Sequence, residues 1–195
     1  MQETEEVGVL LYVRDSITAT EFHVDSEFGD HVWCLIGDLL VGIIYRSINS
    51  QIVGLDSNKN LLKLMREVSS KHVLILGDFN YPEIDWSTYS ALPSASQDCC
   101  EFISTVEDCF FYQHVTMPTR GAPILDLVLS KEPDWVSNVQ IISSLGRSQT
   151  CNKSSNSQFQ VQVPYPQVQV QVHLKRASPS PSPSPKSKSK SSRKK

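Results

Sequence analysis

A mixed α/β fold, with sheets covered by helices on the outside, is what this sequence predicts. Three observations predict it. Apolar runs of strand length intermix with two segments of helical period, and neighbouring runs in the first half are joined by a hairpin-type turn. The runs are also too rich in apolar residues to be covered on one face alone.

The elements follow in chain order. Residues 7–14 alternate as a strand does, and residues 32–36 and 39–45 form two further apolar runs separated by Gly37-Asp38, a two-residue turn pair. This half reads as antiparallel sheet. Residues 60–68 place Leu61, Leu62, Leu64, Met65 and Val68 on one helical face, with Ser57 or Asn58 available as the cap. Residues 72–76 are a continuous apolar run, the pattern of a strand buried on both faces, and it ends in Gly77-Asp78-Phe79-Asn80. Residues 98–110 repeat the helical period with Phe102, Val106 and Cys109 on one face. Residues 124–129 return to a short strand carrying Asp126, and residues 135–142 read as one more.

After Leu145 the composition changes. Residues 149–176 read as a polar Gln/Val-rich linker, within which residues 167–172 alternate strictly and read as a strand whose exposed edge invites aggregation. Residues 177–195 hold eight Ser, four Pro and six Lys or Arg, so they have nothing to bury and read as a disordered basic tail. Charge divides in the same way. Residues 1–150 hold nine basic and 21 acidic residues, a net of −12, and residues 151–195 carry +9. An acidic body with a basic tail is the outcome, and the tail reads as a solvated extension, a nuclear import signal or a nonspecific nucleic-acid contact.

Several classes are excluded. No stretch approaches the ~18 consecutive apolar residues of a spanning helix, so a membrane protein is not expected. The first six residues, Met-Gln-Glu-Thr-Glu-Glu, are acidic where a secretory signal is basic and then apolar, which points to a nuclear or cytoplasmic location. Five cysteines with no Cys-x-x-Cys spacing argue against a disulfide framework and a zinc knuckle. His23, His31, His72 and His114 match no metal-ligand spacing and read as structural. No Walker-type or dinucleotide-binding glycine loop is present, so no small-molecule cofactor is expected.

The chemistry-bearing segment is Gly77-Asp78-Phe79-Asn80. On an extended chain Asp78 and Asn80 project to one side, where a carboxylate takes a proton from water and an amide donates to a phosphate oxygen. The bland alternative is turn chemistry, with Asp78 making an Asx-turn at a strand end. The surroundings add weight to the first. In order, the chain carries Val-Leu-Leu-Tyr-Val-Arg, Gly-Ile-Ile-Tyr-Arg-Ser-x-Asn, Leu-Gly-Asp-Phe-Asn-Tyr-Pro-x-Ile-Asp-Trp, Gln-His-Val-Thr-x-Pro-Thr-Arg and Ile-Leu-Asp-Leu-Val-Leu-Ser.

This series resembles the endonuclease domain of non-LTR (LINE-type) retrotransposons, within the exonuclease-endonuclease-phosphatase family, over residues 7–148. The resemblance implies a four-layer α/β sandwich and magnesium-dependent hydrolysis of DNA. It implies that Tyr45 hydrogen-bonds the scissile phosphate, Asp78 positions or deprotonates the attacking water, Asn80 holds the phosphate and Asp126 orients a histidine. Asn49, Thr119 and Arg120 fall in segments that line the family's DNA-binding face. Two departures qualify it. Where the family pattern has Ser-Asp-His, this chain reads Leu145-Gly146-Arg147-Ser148-Gln149-Thr150. The family's early Asn and metal-binding Glu have no counterpart before residue 7, and Glu3, Glu5 and Glu6 are no substitutes. The expectation is therefore an incomplete sandwich over residues 1–148, truncated at both ends, with an incomplete magnesium ligand set. Its catalysis is impaired, or it is a noncatalytic remnant that binds nucleic acid or protein weakly.

Overall fold

The computed structural model describes residues 9, 11–13, 16–47, 57–119, 121–143, 157–163 and 168–173. The chain passes through β1 (Leu11–Tyr12), β2 (Thr20–Glu21), β3 (His31–Ile36), β4 (Leu39–Tyr45) and α1 (Ser57–Val68). It continues with β5 (Val73–Asp78), β6 (Ile84–Asp85), β7 (Ser90–Ala91), α2 (Gln97–Asp108), β8 (Tyr112–Gln113) and β9 (Asp126–Ser130). A 3-10 turn at Pro133–Trp135 precedes β10 (Asn138–Ser143), β11 (Ser157–Val163) and β12 (Val168–His173).

Two sheets result, besides the β6-β7 ribbon: six strands in the order β2-β3-β4-β5-β9-β8, and four in the order β1-β12-β11-β10. Gly37, at φ 63°, makes the hairpin turn between β3 and β4 that the Gly-Asp pair predicts. Among the described strands only β4 and β5 run parallel, with α1 as their crossover. These two strands are central and buried along almost their whole length, which explains their unbroken apolar runs. Trp33 lies directly across from Gly42, and a Cβ at Gly42 would sit 2.0 Å from its ring. The glycine there is the space that the indole occupies.

Both helices pack on one face of the six-stranded sheet. Leu61, Leu62, Leu64, Met65 and Val68 of α1 are buried, the five that the helical offsets single out. Ser96 caps α2, its side chain accepting from the Cys99 amide at 3.3 Å, and the helix buries Phe102 and Val106. They meet Val73, Ile75, Leu127 and Leu129. The opposite face sends Val41, Ile43, Leu74, Leu76 and Val128 into a second core, shared with Leu11, Val139 and Val161 of the four-stranded sheet. The described residues thus form three layers: helices, sheet, sheet.

The structure corrects two readings. Residues 149–176 are not linker throughout, because β11 and β12 lie there and pair antiparallel with Val161 across from Val170. Nor is β12 an exposed edge: it is flanked by β11 and by β1, where Leu11 pairs with Val172. Period-two Gln/Val alternation is a strand signal whatever its composition, and two matching segments supply each other's partner. β10 begins at Asn138, three residues after Trp135, because Pro133 opens a 3-10 turn there. The tail over 177–195 lies outside the described residues, as do residues 7, 8, 10 and 14 of the first predicted strand. No helix of the described residues is long and apolar enough to cross a membrane.

Candidate functional site

Three strands bring polar groups to one end of the six-stranded sheet. β4 ends at Tyr45, β5 ends at Asp78 and β9 starts at Asp126, and the register places Tyr45 beside Asp78 and Asp78 beside Asp126. Alternation decides which face they share. Val41 and Ile43 on β4, Leu74 and Leu76 on β5, and Val128 on β9 all enter the core between the sheets. Tyr45, Asp78 and Asp126 have the same parity, so the three form a row on the inter-sheet side. Both carboxylates are fully buried.

The backbone shows how close the two carboxylates are. The Phe79 amide donates to Leu125 O at 2.9 Å, so the next pair along, Asp78 and Asp126, is of the non-hydrogen-bonded kind. Such pairs approach to ~4.5 Å between Cα atoms, the nearer of the two antiparallel spacings. Their main-chain groups go elsewhere: Asp78 O accepts from the Arg46 amide at 2.8 Å, and the Asp126 amide donates to Thr119 Oγ1 at 3.1 Å. Thr119 Oγ1 also accepts from the Leu125 amide at 3.0 Å. In this structure Thr119 therefore positions the backbone of Asp126. Asn49 and Arg120 lie outside the described residues.

Gly77 makes the Tyr45–Asp78 contact feasible. It faces Ile44 across the parallel pair, and a Cβ there would lie 1.8 Å from the Ile44 carbonyl oxygen. Beyond Asp78 the chain turns. Phe79 is buried among the helices, 5.3 Å from the Phe102 ring, and Asn80 sits at φ 52°, in the left-handed region that Asn tolerates. The extended two-residue spacing expected to align Asp78 with Asn80 therefore ends before Asn80. Its Nδ2 donates to Arg46 O at 2.6 Å, while Oδ1 is buried without a hydrogen-bond partner among the described residues.

Arg46 is the residue that sequence reading missed. Besides its two main-chain contacts, its Nη1 donates to Asn80 O at 3.2 Å, its guanidinium lies 4.0 Å over the Tyr81 ring, and Asp98 is 3.7 Å away. The available signal was its place directly after Tyr45, at a strand end facing the Gly-Asp-Phe-Asn turn. Tyr81 in turn donates to Asn58 Oδ1. Burial raises its pKa well above the ordinary tyrosine value, against the lowering pull of Arg46, so it remains a phenol.

The described histidines have other partners. His114 bonds Ser130 Oγ at 2.7 Å, four residues along β9 from Asp126, which is about 13 Å of strand. His31 faces the helical side and accepts from Trp33 Nε1 at 2.8 Å. Burial lowers the pKa of both, with His23 adding to the effect on His31. The sign follows. An unfolded histidine takes up its proton near pH ~6.5 while these two resist it, so their stabilising contribution is intact above that pH. It is lost as pH falls through the lowered folded values. The urea midpoint of the protein is expected to drop between pH 7 and 5, and His114→Gln to flatten that drop; a parallel profile for the variant counts against it.

Residues 39–157 match the family model described as endonuclease-reverse transcriptase, a span that holds Tyr45, Asp78, Asn80 and Asp126. Among solved structures, the endonuclease domain of TRAS1, a telomere-specific non-LTR retrotransposon, is 11% identical with a TM-score of 0.48. The match covers 83% of this chain and 69% of that one. No curated protein matches the chain.

Proposed function

The chain belongs to the endonuclease-reverse transcriptase family, and from that premise we propose that it is a retrotransposon-derived endonuclease-like domain. Its strand-end site engages a phosphodiester of DNA and hydrolyses it at an impaired rate. The observation that carries this reading is the row of Tyr45, Asp78 and Asp126, in register on three adjacent strands and facing one side.

In this reading Asp78 accepts the proton of the attacking water and the Tyr45 hydroxyl donates to a phosphate oxygen. Arg46 holds the turn that carries Asn80. Magnesium fits the donor chemistry, because the two carboxylates and the buried, unpartnered Asn80 Oδ1 are all hard oxygen donors. Asp78 and Asp126 would hold the ion. When bound it supplies charge neutralisation at the phosphate. Among the described residues no three His, Cys, Asp or Glu side chains cluster as a ligand set.

The impairment follows from residues 145–150, Leu-Gly-Arg-Ser-Gln-Thr, which offer neither the carboxylate nor the imidazole of Ser-Asp-His. A missing general acid or base costs roughly 10²–10⁴-fold. The same departure favours a second reading, a noncatalytic remnant that binds nucleic acid or protein.

Supercoiled plasmid incubated with the full-length protein and magnesium separates them. The expected result is slow nicking, about 10²–10⁴-fold below an intact family domain, that is abolished by Asp78→Asn and by EDTA. Equal background from wild type and Asp78→Asn, in protein shown to be folded, establishes the remnant. Nicking at an intact domain's rate overturns the impairment.

A further inference from the structure

The body of this chain carries few cations, and they are unevenly placed. Of the nine basic residues in 1–150, three, Lys59, Lys63 and Arg66, line one groove of about 530 Å³ between α1 and α2. All three are exposed and follow one face of α1. They span about 10 Å of axis at ~1.5 Å per residue, a length that takes in about three phosphates of one strand at ~3.4 Å each.

Two of the three cations, Lys63 and Arg66, keep their charge open to the groove, and the groove adjoins the candidate site. Its one acid, Glu101, accepts from Gln97 on the same helix at 3.1 Å. Lys63 makes no ion pair among the described residues. Arg66 is held by a 2.8 Å hydrogen bond to Thr105 across the groove, which orders its guanidinium without cancelling its charge. Both helices start at the sheet end that holds Asp78. Asn58 in the first turn of α1 bonds Tyr81, Asp98 in the first turn of α2 lies 3.7 Å from Arg46, and the Arg66–Thr105 bond joins their far turns. The helices are therefore parallel, and the groove runs away from the edge where Arg46 and Asn80 sit.

We propose that the α1–α2 groove is a phosphate-backbone track that holds the DNA strand flanking the reacting phosphodiester. The proposal rests on the nucleic-acid reading of the site, but not on hydrolysis. The electrostatic logic is local. A body of net charge −12 repels DNA over most of its surface, so approach is favoured at a groove lined by three cations and a single acid.

The test uses the full-length protein and a fluorescent 20-base-pair duplex. Binding is measured by anisotropy over a range of salt, with Lys59→Gln/Lys63→Gln compared with a variant whose six basic residues in 177–195 are glutamine. Each lost phosphate contact reduces the salt slope by ~0.9, so the groove variant is expected to lose about 1.8 from its slope. A second readout is local: Cys100 lines the groove and is partly exposed, whereas Cys99 is buried. Duplex is expected to slow alkylation of Cys100 several-fold in wild type and in the tail variant, and not in the groove variant. An unchanged slope together with an unprotected Cys100 overturns the proposal. Equal protection by polyglutamate overturns it in favour of an acidic protein partner. Repeating the alkylation in EDTA separates the two claims, since nicking is expected to stop there while duplex still slows alkylation of Cys100.

Discussion

Gly77→Ala is expected to destabilise the domain by about 3 kcal/mol or more, the upper range for forcing an atom into a packed interior. The new Cβ would fall 1.8 Å from the Ile44 carbonyl oxygen and 2.8 Å from its carbon. Neither is the end of a flexible side chain. Both belong to β4, which is held between β3 and β5, so relief requires two central strands to part. The residue sits at φ 155°, a region that side chains seldom adopt, which adds to the cost. Gly29→Ala is the control, because no atom lies within 4 Å of its added Cβ and its effect should stay within ~0.5 kcal/mol. Urea denaturation of the two variants checks it; equal midpoints would mean that β4 and β5 separate easily.

Phe102→Ala is the other large effect, at about 3–5 kcal/mol. The ring is fully buried, stacks 4.3 Å from Tyr81 and lies 5.3 Å from Phe79 and 6.5 Å from Trp86. Three aromatic residues from the segment following β5 thus rest on one side chain of α2. A cavity there removes support from the turn that carries Asn80, so the loss should extend to that turn. Amide hydrogen exchange is expected to accelerate at residues 79–81 well before the Val73–Asp78 ladder opens. Uniform acceleration through the domain would mean that the ring stabilises globally and has no local hold on the turn.

The sequence made the layered core legible and the geometry of the turn only partly so. Helical offsets marked the five buried residues of α1, and the unbroken run before Gly77 marked a strand covered on both sides, because these signals repeat over several residues. The row of Tyr45, Asp78 and Asp126 needed three strands from distant segments, and only the ordered motifs pointed to it. β2, β6, β7 and β8 are two residues each, too short for any period to show. Asn80 departs from the extended spacing because Arg46, 34 positions earlier, takes its side chain and its carbonyl, a contact that local pattern cannot encode. The Gln/Val segment misled in another way. Its composition resembles a linker, and its alternation became structure only through partners at both ends of the chain.

That last arrangement sets an order of events. β1 pairs with β12, the first described strand with the last, whereas the pairs β3-β4, β4-β5 and β5-β9 join segments closer together. During synthesis the six-stranded sheet and its helices have every residue they need before β12 leaves the ribosome. Closure of the four-stranded sheet has to wait, and a long-range pairing of this kind is slow to form. Until then Leu74, Leu76 and Val128 lack part of their cover, and β11 presents an unpaired edge. The vulnerable species of this protein is the nascent chain that stops short of residue 168.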